Sequence, residues 1–513
     1  MKSKRMWCAT VIGFLVLLAL PVQLAAQGTV RYKLVDLGTL GGPNSFPSPA
    51  GQNSFGQGVV MLNNAGRVAG WADTTIPDPF CFGNDGLCLI THAFRWDNGT
   101  LTDLGALPGV NSSAAIAINA GGWVLGESEN GLIEPLTGFP QQRAVVWKGN
   151  QLTELGTLGV NAVFPQTLNS VGQVVGNAPN TVPDPFSLFG LPTQIRAFLW
   201  QNGLMQDLGT LGGPDAVPFS INDRGEVAGM SYTNSTPNAT GMPTLEPFLW
   251  ENGKMISLGT LGGTVGSPGA QGSIMINNRG QIIGTSNLVG DQAAHGFVWQ
   301  NGVMTDLGTF GGVNSFPVWI NDVGEIVGEA DLVGSAVTHL HHAFLWKNGV
   351  MTDLGTLGST SHAEAVNSRG QVVGRSRPGD PSTILQHAFL WEEGGPMLDL
   401  NTLIPAGSDL QLIDAYNVND RGEILVDAIP LGTPPVETGQ LGHLALLVPC
   451  DPTAGQDCSA VAANTRQTTN TALPSSESTA STQRHLTSMQ AVASWRTRLA
   501  QRTHLPGAAA AKD

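Results

Sequence analysis

Eight copies of one unit, each with signals for four short strands, predict an all-β fold for this chain of 513 residues. Successive tryptophans of the unit are separated by 45 to 53 residues, a period close to that of a kelch-type blade. Four-stranded sheets repeated around an axis leave few long exposed edges. The sequence therefore predicts a β-propeller of eight four-stranded blades in residues 28–450.

The first repeated motif is Asp-Leu-Gly-Thr-Leu-Gly-Gly, which begins at Asp36. Variants of it begin at Asp103, Glu154, Asp207, Ser257, Asp306, Asp353 and Asp399. The recurring acid could form a ring of cation ligands, or it could cap a turn within each blade. Because Ser257 and Glu154 break strict ligand geometry, we predict the structural role.

The second motif is Asn-x-x-Gly, followed by a short apolar run. An Asn side chain can accept a hydrogen bond from the backbone two residues on, and Gly tolerates the positive φ that closes the turn. The motif therefore predicts a tight hairpin in every unit. Its asparagines are Asn63, Asn119, Asn169, Asn222, Asn277, Asn321, Asn367 and Asn419.

The third motif is an apolar strand that ends in tryptophan, found in seven of the eight units. Asn-Gly follows it in several units, as at Asn202–Gly203, and predicts a second hairpin. The eighth copy, residues 443–448, lacks the tryptophan but keeps the apolar run. The tryptophans are Trp96, Trp147, Trp200, Trp250, Trp299, Trp346 and Trp391.

The two ends of the repeat region complement each other. The first unit begins with a lone Asp-Leu-Gly strand at residues 32–38, and the last unit stops at Pro449 without one. We expect these two strands to pair and close the ring. The sequence permits two frames, so the innermost strand of each blade stays open.

The strand His342–Trp346, followed by Asn348, Gly349 and the motif at Asp353, resembles the HAF repeat family of extracellular bacterial proteins. The resemblance covers roughly residues 32–449. The histidine is replaced in three units, by Arg143, Arg196 and Glu246. The resemblance implies a secreted repeat protein and brings no catalytic residue.

Residues 1–27 are typical of a secretory signal peptide. Lys2, Lys4 and Arg5 precede an apolar stretch of residues 8–20, and small residues follow at 25–26. We expect an exported chain that is secreted, extracellular or periplasmic; an uncleaved anchor is the alternative. No later apolar run is long enough to cross a membrane.

The four remaining cysteines form two close pairs, Cys81 with Cys88 and Cys450 with Cys458. Short spacing in an exported chain favours two local disulfides, and free thiols are the alternative.

The repeat region carries a net charge of about −20, because the segments outside it carry net positive charge. This charge argues against nucleic acid or an anionic membrane as its partner. From Asp451 onward the repeat stops, and the composition predicts a disordered tail over residues 451–513. A short amphipathic helix within it would dock onto a partner or fray; its apolar residues are Leu486, Met489, Val492, Trp495 and Leu499.

Alternating strand directions put both tight turns on one face and the glycine connectors and long insertions on the other. Variable loops on a rigid scaffold usually carry binding. Two insertions share Pro-Asp-Pro-Phe, which makes Asp78 with Phe80, and Asp184 with Phe186, candidate carbohydrate contacts. The alternative is that the prolines stiffen each loop while Phe packs against it.

His339, His341 and His342 have the donor chemistry of a transition-metal site. His342 also occupies the repeated histidine slot, which favours a structural role. We predict neither a metal nor a cofactor; a structural cation such as calcium is the alternative.

The leading hypothesis is a monomeric, secreted binding or scaffold protein whose loop face engages a glycan, a peptide or a protein. The first alternative is a polysaccharide hydrolase or lyase that uses insertion acids such as Asp78, Asp184, Asp291 or Asp331. The second is a structural element of the cell envelope, attached through the basic tail.

Overall fold

The computed structural model contains eight antiparallel sheets of four strands arranged in a ring, which confirms the β-propeller. The signal peptide, Phe80, Cys81, His339 and the tail beyond residue 466 lie outside the described residues. The structure describes residues 31–47, 59–78, 88–133, 140–188, 191–237, 243–263, 274–334, 340–379, 386–432, 442–451, 454–459, 461–462 and 464–466.

The N-terminal strand belongs to the last blade, and blades one to four then follow in chain order. Their strands are β1 (Arg31–Asp36); β2 (Ser45–Phe46), β3 (Val68–Pro77), β4 (Leu89–Asp97) and β5 (Thr100–Gly105) in blade one; β6 (Ser113–Ile118), β7 (Val124–Ile133), β8 (Pro140–Lys148) and β9 (Gln151–Glu154) in blade two; β10 (Phe164–Leu168), β11 (Val174–Pro183), β12 (Thr193–Gln201) and β13 (Leu204–Asp207) in blade three; β14 (Ala216–Ile221), β15 (Val227–Tyr232), β16 (Leu245–Glu251) and β17 (Lys254–Ser257) in blade four.

Blades five to eight repeat the arrangement, and a 3-10 turn, Leu400–Thr402, follows blade seven. Their strands are β18 (Met275–Ile276), β19 (Ile282–Asn287), β20 (Ala294–Gln300) and β21 (Val303–Asp306) in blade five; β22 (Gly311–Ile320), β23 (Ile326–Leu332), β24 (His341–Lys347) and β25 (Val350–Asp353) in blade six; β26 (Ser361–Val366), β27 (Val372–Ser376), β28 (His387–Trp391) and β29 (Leu398–Asp399) in blade seven; β30 (Leu410–Val418), β31 (Ile424–Pro430) and β32 (His443–Cys450) in blade eight.

The two hairpins of each blade fall where the motifs predict them. Asn-x-x-Gly joins the first strand to the second, and the backbone N–H of Gly225, for example, donates to the carbonyl of Asn222. The Asn-Gly turns join the third strand to the fourth. Both residues have positive φ in these turns, +52° at Asn202 and +80° at Gly203, as a type I′ hairpin requires.

The eight Asn-x-x-Gly asparagines form a closed ring of hydrogen bonds. Each side-chain amide donates to the backbone carbonyl of the asparagine in the next blade, and the last bond runs from Asn419 back to Asn63. Since these asparagines contact one another from blade to blade, the strand that precedes each of them is the innermost strand of its blade. This settles which of the two possible assignments of strands to blades is correct. The bonds are Asn63 to Asn119 (2.9 Å), Asn119 to Asn169 (3.0 Å), Asn169 to Asn222 (3.0 Å), Asn222 to Asn277 (3.1 Å), Asn277 to Asn321 (3.0 Å), Asn321 to Asn367 (2.9 Å), Asn367 to Asn419 (2.9 Å) and Asn419 to Asn63 (3.1 Å).

Strand β1 closes the ring as the outer strand of blade eight, where it pairs antiparallel with β32 from Arg31↔Cys450 to Asp36↔Ala445. A disulfide joins Cys450 to Cys458 just after β32, with a Cα–Cα distance of 5.8 Å. Cys88 is also disulfide-bonded.

The chain continues beyond this disulfide as two further short strands. β33 (Val461–Ala462) pairs parallel with β1, and β34 (Asn464–Arg466) pairs parallel with β5. The composition predicts disorder from Asp451 onward, and the structure corrects this for both segments. Edge pairing explains the difference, because the exposed outer strands of blades eight and one accept backbone hydrogen bonds that composition does not reveal.

The hydrophobic core lies between neighbouring blades. In one example, Val175 and Leu199 of blade three pack with Ile221 and Trp250 of blade four. The third strands contribute fully buried phenylalanines at the same position in six blades, and burying each contributes about 1.5–3 kcal/mol. Within the described part of the chain, no helix is long and apolar enough to cross a membrane.

Glycine fills the third position of the second strand in seven of the eight blades. A Cβ on Gly374 would lie 2.1 Å from the carbonyl oxygen of His362 on the inner strand. The inner strand is bulged at this level, between Ala363 and Ala365. The bulge brings the two backbones together, so only glycine fits.

Candidate binding site in the channel wall

The residue after this glycine is where the blades differ most. It is the fourth residue of the second strand, and it is polar or charged in six blades although the strand begins with buried Val or Ile. Repeated positions maintain packing, so a variable polar position inside the ring is a candidate for function. The eight residues are Trp71, Glu127, Asn177, Met230, Thr285, Glu329, Arg375 and Asp427.

Charged residues concentrate at this level in three adjacent blades. β23 and β24 of blade six, β26 and β27 of blade seven, and β30 of blade eight contribute them. We call this set the channel-wall cluster; it consists of Glu329, His341, His362, Glu364, Arg375 and Asp414.

Glu329 and His362 join blade six to blade seven. His362 Nδ1 lies 2.7 Å from Glu329 Oε2, and its Nε2 lies 3.4 Å from Glu364 Oε1. His341 Nε2 lies 3.3 Å from the same Glu329 oxygen. Each of these histidines can therefore donate to a buried carboxylate.

Arg375 joins blade seven to blade eight. Its Nη1 donates to Asp414 Oδ2 at 2.9 Å and also to Glu364 Oε1. Glu364 and Asp414 lie on β26 and β30, the innermost strands of their blades. The side chain of Arg375 is 30% exposed, although it spans two inner strands. Because Arg375 contacts the innermost strands of two neighbouring blades, we place it at the wall of the central channel.

The cluster lies in the loop-bearing half of the channel. β26 and β30 run from the insertion-loop face toward the Asn-x-x-Gly turns, and His362 and Asp414 precede the bulges in these strands. His341 begins β24, at the loop-face end of that strand. A ligand that approaches over the insertion loops would meet the cluster first.

The charged groups of the cluster stabilise one another's ionised forms. Burial opposes ionisation of Glu329, but His362, His341 and Arg375 hold its pKa at about 2. Burial also opposes a charged His362, and Glu364 with Glu329 nevertheless raises its pKa above the ordinary value. Near neutral pH, Glu329 is therefore anionic, and the cluster favours the charged form of His362 relative to a free imidazole.

In the carboxyl groups of blade eight, the ionised form is less strongly stabilised. Burial raises the pKa of Asp414 to about 6 and the pKa of Asp427 to about 7. These two residues face each other across the β30–β31 pair. In blade two, burial raises the pKa of Glu127 to about 7. This arrangement can hold polar or charged groups of a ligand and exchange protons near neutral pH.

The two aspartates among the predicted carbohydrate contacts are buried. Asp78 is 6% exposed and Asp184 is 5% exposed. Asp184 Oδ1 accepts the backbone N–H of Phe186 at 2.9 Å, so it is engaged in a turn of its own loop. Burial raises the pKa of the neighbouring Asp215 to about 7, and Asp184 adds to that rise. Their contact with a ligand stays a prediction.

The recurring acid of Asp-Leu-Gly bonds within its own blade. It faces the third-strand residue at the histidine slot, and in most blades it also accepts a backbone N–H two residues ahead, as Asp36 does from Gly38. In blade four, Glu246 replaces the histidine and Ser257 replaces the acid, so a hydrogen-bonded pair is kept. The pairs are His443–Asp36, His92–Asp103, Arg143–Glu154, Arg196–Asp207, Glu246–Ser257, His295–Asp306, His342–Asp353 and His387–Asp399.

His341 and His342 do not converge on a shared metal, since His341 contacts Glu329 and His342 contacts Asp353. Among the described residues, no group of three or more His, Cys, Asp or Glu could hold a metal ion. The four insertion acids of the enzyme hypothesis lie in blades one, three, five and six, and Asp331 accepts hydrogen bonds from Asn314.

Sequence reasoning missed every member of the cluster except His341. The signal was present, because the residue after the second-strand glycine varies more in character than its neighbours do. The sequence does not reveal that positions in three different units converge. That requires knowledge of which strand is innermost, and the motifs permit two frames.

No family model and no curated protein matches the chain. Solved structures resemble it weakly. The Dos1 propeller is 9% identical with a TM-score of 0.40, over 74% of this chain and 93% of that one. A puromycin hydrolase mutant is 15% identical with a TM-score of 0.39, over 75% of this chain and 62% of that one. The β-propeller domain of the trilobed protease from Pyrococcus furiosus is 11% identical with a TM-score of 0.34, over 53% of this chain and 78% of that one.

Proposed function

We propose that this chain is a secreted binding or scaffold protein of the HAF repeat type, and that it engages an extracellular glycan, peptide or protein. Binding takes place at the loop-bearing half of the channel. The observation that carries the proposal is the channel-wall cluster, in which five strands of three neighbouring blades contribute charged side chains that contact one another at the innermost strands.

The proposal of export rests on two features of the chain. Residues 1–27 have the pattern of a secretory signal, and the Cys450–Cys458 disulfide is of the kind that persists in oxidising compartments. Secretion of the full-length chain, followed by N-terminal sequencing of the product, tests this part. A mature N-terminus near residue 28 supports it, and a retained leader contradicts it.

Glycan and peptide arrays probed with the exported chain test the binding role. We expect Arg375→Gln to abolish capture of any ligand found, because it opens the link between blades seven and eight. The matched control is Arg279→Gln at an Asn-x-x-Gly turn, where the guanidinium donates to the carbonyl of Val323. If Arg375→Gln does not fold, Glu364→Gln in blade seven takes its place, because Glu364 contacts both His362 and Arg375. Equal capture by the channel and turn variants would refute the assignment of the site.

A further inference from the structure

The insertion between β11 and β12 of blade three is attached to blade four by Asp215, which directly precedes β14. Asp215 Oδ2 accepts the backbone N–H of Leu188 at 2.7 Å, and its Oδ1 accepts that of Ile195 at 2.8 Å. The side chain of Asp215 is fully buried. One buried carboxyl group therefore binds the backbone on both sides of the insertion.

Asp184, from the Pro-Asp-Pro-Phe motif of the same insertion, is in direct contact with Asp215. The two side chains are hydrogen-bonded to each other, and Asp184 is buried as well. Asp184 Oδ1 accepts the backbone N–H of Phe186 at 2.9 Å, whereas its Oδ2 is buried and meets no N–H or O–H donor among the described residues. Three of the four carboxyl oxygens of the pair therefore accept backbone N–H groups, and Asp184 Oδ2 is the exception.

A proton is the group that this pair of carboxyls requires. Ionised carboxylates only accept hydrogen bonds, so two of them cannot bond to each other, whereas a protonated carboxyl donates one O–H. Two carboxylates that share a buried site also repel each other, which favours keeping one of them protonated. The proton belongs on Asp184 Oδ2, because the other three oxygens already accept N–H groups. A proton between the two side chains needs no accessible volume, so the complete burial of this oxygen is accounted for.

The surroundings of the pair supply no positive charge to replace the proton. Among the described residues, no Lys, Arg or His forms an ion pair with Asp184 or Asp215. Arg196 on β12 is paired with Asp207, and the hydroxyl of Tyr232 on β15 donates to a backbone carbonyl of the insertion. Burial raises the pKa of Asp215 to about 7 although backbone N–H groups oppose this, and Asp184 adds to the rise.

The second Pro-Asp-Pro-Phe insertion, in blade one, has a related arrangement. The backbone N–H of Asp78 donates to the carbonyl of Cys88 at 2.8 Å, as that of Asp184 donates to the carbonyl of Pro192 at 3.0 Å. In the next blade, burial raises the pKa of Glu129 to about 7, and Asp78 is among the charges that add to the rise. Each motif therefore places a buried aspartate near an acid of the following blade.

We propose that a proton shared between Asp184 and Asp215 fastens the blade-three insertion to blade four, so that this loop is held at acidic pH and loosened as the pH rises. The fastened loop keeps a proton that the released loop loses near the ordinary aspartate pKa of about 4. Rising pH therefore disfavours the fastened loop until the pair loses its proton near pH 7, and has no further effect above that value. This inference concerns the loop itself and does not depend on which ligand the protein binds.

Hydrogen exchange of the Leu188 and Ile195 amides in the exported full chain tests the proposal. Asp184→Asn places an N–H donor where the proton lies and keeps the oxygen that accepts from Phe186. The ratio of the exchange rate in the parent chain to that in Asp184→Asn should rise at least about tenfold between about pH 5 and about pH 8, the equivalent of one pKa unit. Because both proteins are compared at the same pH, the intrinsic pH dependence of amide exchange cancels.

A second variant separates the shared proton from simple repulsion between two acids. Asp215→Asn has one acceptor oxygen where the parent uses two, so the Leu188 and Ile195 amides should exchange faster than in the parent at both pH values. Relief of repulsion alone would instead slow exchange in either variant at high pH. The matched control is Asp306→Asn in blade five, an exposed acid paired with a histidine, which should change the exchange of these amides less than about twofold.

A bound calcium ion is the competing explanation, because the buried hydroxyls of Ser187 and Thr193 also have no hydrogen-bond partner among the described residues. Calcium takes six to eight oxygen ligands, whereas a single carboxylate oxygen is left over here. Exchange of the same amides is therefore repeated at about pH 8 with calcium and with a chelator, and we expect no difference. Protection that calcium adds and the chelator removes would overturn the shared proton, and so would an Asp184→Asn ratio that stays constant between the two pH values.

Discussion

The closed ring of asparagines can be tested at two positions with identical sequence. Asn-Asp-Arg-Gly-Glu occurs at Asn222, between blades four and five, and at Asn419, between blades eight and one. In both copies the side chain donates to the next asparagine carbonyl at 3.1 Å and to the local glutamate at 2.6 Å. The two sites differ in one respect. Asn222 joins blades that the chain connects directly, and Asn419 joins the blades that close the ring.

The expected loss follows from the bonds that alanine removes. Asn419 is buried, donates two hydrogen bonds, and accepts two more from the backbone N–H groups of Arg421 and Glu423. At about 1 kcal/mol for each bond, Asn419→Ala should cost about 4 kcal/mol. For a ring of this size, that lowers Tm by about 5 °C. Asn222→Ala removes the same set of bonds and should cost a similar amount.

Hydrogen exchange distinguishes the closure from the local turn. We expect Asn419→Ala, and not Asn222→Ala, to accelerate exchange of the β1 amides, because only the first weakens the junction that β1 closes. Differential scanning calorimetry supplies the Tm of both variants. A loss below about 1 kcal/mol at both positions would refute the ring as a stabilising element, and equal exchange of β1 in both variants would refute the special role of the closure.

Three further outcomes follow from the structure. The hydrogen bond with Asp36 raises the pKa of His443, and His443 lowers that of Asp36 although burial opposes it. The ion pair therefore stabilises the fold fully between the ordinary aspartate and histidine pKa values, and this stabilisation is lost as pH rises through the raised histidine pKa. His443→Gln should accordingly lower Tm more at about pH 5.5 than at about pH 8.5. Equal losses of Tm at the two pH values would contradict this. Gly374→Ala should cost about 1–3 kcal/mol, because its Cβ meets a backbone oxygen at 2.1 Å, whereas Gly121→Ala, with no contact below 3.4 Å, should lose little in the same denaturation experiment. Cys450→Ser should cost about 2.5 kcal/mol by releasing an eight-residue closure. A reductant also opens the Cys88 disulfide in both proteins, so it should destabilise the parent chain by about 2.5 kcal/mol more than it destabilises the variant.

The fold could be predicted because the same local sequence signals for strands and turns recur in eight units. Asn-x-x-Gly and Asn-Gly specify hairpins through backbone conformations that few other residues adopt, as the positive φ of Asn202 and Gly203 shows. The lone first strand and the missing last strand identify the closure, which β1 and β32 form. These inferences depend on neighbouring residues only, and hydrogen bonding within one unit is sufficient to enforce them.

The site could not be predicted in the same way, since its parts belong to different units. Glu329 and His362 are 33 residues apart, and Arg375 and Asp414 are 39 residues apart. Their contact depends on which strand is innermost and on the bulge that brings β26 against β27. The Pro-Asp-Pro-Phe loops differ from the cluster in this respect, and their contact with a ligand stays a prediction. They are conspicuous in the sequence, and the structure buries Asp78 and Asp184.

The repeat and the site place opposite demands on two successive positions of the second strand. Seven copies keep the second-strand glycine because the bulged inner strand leaves no room for a Cβ. The residue that follows it is released from this packing constraint because its side chain turns toward the next blade near the channel, as Glu329 does toward His362 and Arg375 toward Asp414. A buried charge at such a position is costly without a partner. Ion-paired charges at this position therefore need complementary residues on the next blade, and the cluster meets this requirement in three consecutive blades.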